Sequence, residues 1–91
     1  MGLLIVVASL NPGSNMLHVQ QLLDSSHGWW RISPSSWVVC SPDATAQFWT
    51  ERLTPLVRPH GSLFICELNA EQRFGWMGTS FWHWFEEHRH L

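Results

Sequence analysis

Residues 29–40 read Trp29-Trp30-Arg31-Ile32-Ser33-Pro34-Ser35-Ser36-Trp37-Val38-Val39-Cys40. Two short runs of aromatic and β-branched residues flank a Ser-Pro-Ser turn, the pattern of a β-hairpin. What stands on either side of that hairpin decides the fold. Upstream, Leu3-Leu4-Ile5-Val6-Val7-Ala8 is an unbroken apolar run of strand length, the mark of a strand covered on both faces. Asn11-Pro12-Gly13 breaks it, and Ser14 or Asn15 is placed to cap a helix. Met16, Leu17, Val19, Leu22 and Leu23 then follow the spacing of one helical face, and His27-Gly28 reads as the end of that helix. Downstream, Asp43 in Ser41-Pro42-Asp43 is a candidate N-cap. Phe48, Trp49, Arg52, Leu53, Leu56 and Val57 mark one face of a second helix, in which Pro55 predicts a kink or a fresh turn. Pro59-His60-Gly61 leads into a fourth strand, Ser62-Leu63-Phe64-Ile65-Cys66-Glu67-Leu68. After a polar connection, Thr79 or Ser80 can cap a last helix carrying Phe81, Trp82, Trp84 and Phe85.

The hairpin therefore sits between two strand–helix units. This is the ferredoxin-like βαββαβ pattern, an α+β split βαβ with an antiparallel sheet, an expected strand order of 4-1-3-2 and the first two helices on one face. At 91 residues the chain is one domain, with residues 1–69 as its core and 70–91 as an aromatic-rich C-terminal extension.

Composition narrows the function classes. Hydrophobic content of 45% against 13% charged residues excludes intrinsic disorder. Seven Trp and five Phe with no Tyr call for a core built on large rings. The net charge is -2 and every basic side chain is Arg, so no overall field draws phosphate to this surface, and nucleic acid is an unlikely partner on charge grounds. No apolar run approaches the ~18 residues of a membrane span. Met1 to Ala8 lacks the basic flank and cleavage site of an export signal, so a cytoplasmic location is expected. Cys40 and Cys66 lie in apolar runs typical of buried free thiols. Strand one separates their strands in the expected order, so no disulfide should join them.

Four stretches carry a resemblance. They are Leu10-Asn11-Pro12-Gly13-Ser14-Asn15 after strand one, Trp29-Trp30 opening strand two, Ser36-Trp37-Val38-Val39 in strand three, and Ser62 to Leu68 with Gly75-Trp76-Met77 following. In this order they resemble the SinR-like small bacterial and phage proteins, which belong with the VapD-type and CRISPR-adaptation nuclease-like ferredoxin folds. The resemblance implies a homodimer. For the nuclease relatives it also implies an acidic residue at the end of strand one, given by each subunit to a divalent metal. Here Ser9, in Val7-Ala8-Ser9-Leu10, stands where that pattern has Tyr-Asp-Leu. A hydroxyl brings no charge to Mg²⁺, which favours anionic oxygen ligands, so cleavage is not expected at that position. The leading expectation is a non-catalytic protein acting through protein contacts, in phage–host conflict or regulation. The alternative is a metal-dependent nuclease or nucleic-acid binder with its acidic ligands elsewhere, such as Glu67.

Other candidate chemistry is sparse. His83 and Glu87 are four apart on the last helix, as are Glu86 and His90, a spacing that could bring metal ligands to one face; a solvated polar face explains it equally. Cys40 with His60, or Ser9 with His18, could pair as nucleophile and base, although no motif surrounds either. The seven Trp could stack bases, but only Arg31 lies among the sheet aromatics. Asn11-Pro12-Gly13-Ser14-Asn15 could turn amides towards an anion, and turn formation accounts for it as well. No cofactor is called for.

The strands give one more expectation. Alternation divides strand one into Leu3, Ile5, Val7 and Leu4, Val6, Ala8, and strand four into Phe64, Cys66, Leu68 and Leu63, Ile65. Both sheet faces are apolar, and two helices cover only one. The other face is expected either to pair with a second copy, the favoured outcome, or to lie under the C-terminal tail; Trp37, Phe64, Trp76 and Trp82 are the candidate contact residues.

Overall fold

The computed structural model describes residues 2–42, 45–69, 71 and 73–89. Seven elements follow in order: β1 (Gly2–Ser9), α1 (Met16–Leu23), β2 (Gly28–Ser33), β3 (Ser36–Ser41), α2 (Ala46–Val57), β4 (Ser62–Leu68) and α3 (Thr79–His88). The four strands form one open antiparallel sheet ordered β2-β3-β1-β4, which counted from the β4 edge reads 4-1-3-2. The result is a small α+β domain of one sheet and three helices. β1 has no charged residue and lies between β3 and β4, with Val6 opposite both Trp37 and Ile65. The hairpin closes through a 2.6 Å hydrogen bond between the Ser33 and Ser36 hydroxyls.

Side-chain alternation sorts the core into two layers. Leu4, Val6, Ala8, Trp37 and Val39 face α1 and α2, meeting Val19, Leu23, Trp49, Leu53 and Val57. Leu3, Val38 and Cys40 face the other way and meet Phe81 and Phe85 of α3. The C-terminal extension is thus part of the fold: it folds back over its own sheet. Rings fill both layers, since Trp37, Trp49, Phe81 and Phe85 are buried.

Several local expectations are corrected. α1 stops at Leu23 with Asp24 as C-cap, so Gly28 does not end it but opens β2. Glycine there makes room for a side chain, because a Cβ at Gly28 would lie 2.5 Å from Nε2 of His88 at the far end of α3 and the His88 ring would have to shift. Asn15 caps α1, its side chain accepting from the Leu17 N–H. Asp43 lies outside the described residues, and the α2 cap is Thr45, whose hydroxyl accepts from the Phe48 N–H at 3.2 Å. Pro55 does not restart α2. It falls in the last turn, where the one N–H it lacks would have bonded the exposed side of the helix at Glu51. Neither Thr79 nor Ser80 caps α3; Gly78 holds the cap position without a side-chain bond. Cys40 is buried as expected, whereas Cys66 is exposed because α3 does not reach its part of β4; both thiols are free.

Candidate functional site

The face opposite α1 and α2 is only half covered. α3 lies over the end of the sheet where Leu3, Cys40 and Leu68 sit, and its rings interlock there: Phe81 meets Trp30 edge-on at 5.8 Å, Trp84 tilts against Trp30 at 6.1 Å, and His88 stacks on Trp84 at 4.4 Å. The His88 Nδ1–H donates to the Trp84 carbonyl at 2.7 Å, which fixes the ring tautomer, and the Cys40 thiol donates weakly to the His88 carbonyl at 3.6 Å. Burial pushes the Cys40 thiol above the ordinary range, so it stays protonated and inert.

Towards the other end of the same face the cover stops. Val7 and Phe64 are opposite each other on β1 and β4, and both are exposed, Phe64 by 65%. Beside the covered end, residues 73–77 wall a cavity of about 280 Å³. Val38, Leu68, Met77, Phe81, Trp82 and Phe85 form its apolar lining. Phe74 and Trp76 stand at its mouth, both fully exposed. Two ion pairs tie this connection to α3, Arg73 to Glu86 at 3.2 Å and Arg89 to Glu71 at 2.9 Å, while Arg89 also pairs with Glu86 at 2.9 Å within the end of the helix.

The sequence candidates fall as follows. Phe64 and Trp76 belong to this exposed surface, and Trp82 is half-buried in the cavity wall. Trp37 does not belong to it. Its side chain points to the opposite face and is fully buried under α1 and α2, because alternation on β3 places it one residue out of step with Val38. Val7 and Phe74 belong to the exposed surface although neither is among the candidate contact residues; strand alternation points to Val7, while Phe74 carries no periodic signal.

The chemical candidates stay apart. Ser9 ends β1, exposed and opposite Ser62. Glu67, the alternative metal ligand, is on β4 opposite Leu4, and its carboxylate reaches the start of α2, accepting from the Ala46 N–H at 3.3 Å. Cys40 pairs with Leu3 at one end of β1 and His60 adjoins Ser62 at the other, about 20 Å away along the strand. His83 and Glu87 are exposed on α3, and His90 lies outside the described residues. Among the described residues no group of three or more His, Cys, Asp or Glu could hold a metal ion. The Asn11 loop spends its groups internally: the Asn11 N–H donates to the Leu56 carbonyl, and the Asn11 side chain accepts from the His60 N–H at 3.1 Å. The strand tryptophans offer no open stacking platform, and Trp76, fully exposed, lies off the sheet. Trp30 is under α3, and the Trp29 Nε1–H donates to Asp24 at 3.0 Å. Arg31 lies over the Trp37 ring, and Arg52 lies 3.7 Å from the Phe48 centroid.

No helix among the described residues is long and apolar enough to cross a membrane. Compared with protein-family models, curated proteins and solved structures, the chain matches none.

Proposed function

We propose that this chain is a non-catalytic, cytoplasmic ferredoxin-like protein of the SinR-like kind, working as a homodimer through protein contacts in phage–host conflict or regulation. The βαββαβ order and the neighbours of β1 support the fold name. One observation carries the mode of action: the apolar strip of Val7 and Phe64, continuous in face with the α3 layer yet left outside it. Contiguous apolar surface left in water marks an interaction site once it reaches a few hundred Å², and Val7 and Phe64 supply its sheet part here. A two-fold contact reuses one such patch on both copies. Ser9 in place of a carboxylate, and Glu67 engaged at a helix start, support the non-catalytic half.

Sedimentation equilibrium over a concentration series tests the reading. The average mass is expected to rise above 10.6 kDa with concentration, and Phe64→Asp is expected to hold it there. A parent protein that stays at monomer mass overturns the dimer. Incubation with RNA and DNA in Mg²⁺ or Mn²⁺ tests the other half: cleavage abolished in Glu67→Ala would replace this reading with the nuclease one.

A further inference from the structure

We propose that Trp76 is a hook for a second copy of this chain, its indole entering the partner's cavity between residues 73–77 and α3 while the partner's Trp76 enters this one. The inference rests on the dimer proposed above and names its anchor. Phe74 and Trp76 alternate with Gly75 and Met77; Met77 turns inward onto the α3 layer, while the two rings stand in solvent. A fully exposed Trp is uncommon, since its large apolar surface normally finds cover. The cover is close by, but Trp76 cannot supply it alone: the ring is mounted on the wall of the cavity and would have to carry that wall inward. A second copy has no such constraint. A cavity of roughly 150 Å³ takes up benzene, so about 280 Å³ has room for an indole.

Adjacent hook and hole on one surface are the geometry of an isologous contact, because a two-fold axis beside them brings each hook to the other hole. The area is of the right order. Large rings bury about 150–250 Å² each. Phe64, Phe74 and Trp76, wholly covered, offer each copy at most roughly 450–750 Å², which approaches the ~800 Å² per partner of a standard interface. Deeply seated Trp anchors in pockets dominate interfaces of this size.

Trp76→Ala tests the proposal without endangering the fold, since the ring is in solvent. Trp76→Ala is expected to weaken self-association by at least about 30-fold in sedimentation equilibrium, the effect of losing an interface anchor. Free indole is expected to lower the average mass of the parent protein and to bind the Trp76→Ala protein without changing its mass. A parent that self-associates as strongly after Trp76→Ala overturns the hook and leaves the dimer standing. Failure of Trp76→Ala to bind indole overturns the cavity's part in it, and a parent that is monomeric throughout overturns both.

Discussion

Trp37 shows how one side chain can be legible in burial and misleading in role. Its place in an apolar strand between two others marks it as core, and it is fully buried. Trp37→Ala is expected to cost about 3–5 kcal/mol in chemical denaturation, the range for deleting a buried ring, while Ser35→Ala on the exposed turn should stay within about 0.5 kcal/mol. Equal midpoints for Trp37→Ala and the parent would contradict the burial. Trp37 and Trp49 each hold an indole N–H buried without a partner among the described residues. An unpaired donor carries a desolvation cost of about 1–3 kcal/mol. Trp37→Phe, which removes the donor and keeps a ring, should therefore cost far less than Trp37→Ala. The two cysteines separate just as clearly. Cys66 should react readily with a thiol reagent in the native protein and Cys40 far more slowly until the protein is unfolded. Sequence context could not distinguish them, because the difference lies in how far α3 reaches.

At the scale of elements, the hairpin, the strand alternation and the amphipathic helices were readable because each depends on local spacing. The helix ends were not. Gly28 reads as a helix stop, yet what glycine leaves room for there is the His88 ring, sixty residues away in the chain. Pro55 looked like a break, but its position in a final exposed turn makes the missing hydrogen bond inexpensive. The docking of α3 depends on these distant contacts. Gly28→Ala should push His88 aside and destabilise the protein by about 1–3 kcal/mol, the usual cost of overpacking. In a Cys66→Ser background, both Gly28→Ala and Phe81→Ala should speed native-state labelling of Cys40, since that thiol lies under α3. Unchanged labelling would mean that α3 opens only with the whole fold. The contact candidates were only partly legible for a related reason: Phe64 and Trp76 stand out as large apolar residues, whereas placing Trp37 on its true face requires knowing which layer the two helices choose.

For the whole molecule, the raised Cys40 pKa gives stability a pH dependence of definite sign. Below about pH 8.5 a thiol is protonated in both the folded and unfolded chain and contributes no slope. As pH rises beyond that, the unfolded chain releases the proton while the folded one retains it, so folding stability should fall through the alkaline range. Denaturation midpoints from neutral to alkaline pH should show this decline, and Cys40→Ala should flatten it. A decline of equal slope in Cys40→Ala would assign it to other groups. The ion pairs among Arg73, Glu86, Arg89 and Glu71 are exposed enough for salt to screen them, and they should matter less to this curve than to the set of the 71–78 connection.

The position of β1 has a consequence for how the chain is made. The strand at the middle of the sheet is the first to be synthesised, and its final partner, β4, begins only at Ser62. Until then Leu3 to Ala8, an uncharged stretch of high β-propensity, has no completed sheet to enter, and its second face waits longer still for α3. Such segments recruit one another when exposed, and long-range strand pairing closes slowly. The nascent chain thus passes through a period in which its most buried segment is its most adhesive one, and the yield of folded protein should depend on how fast residues 62–88 follow residue 9.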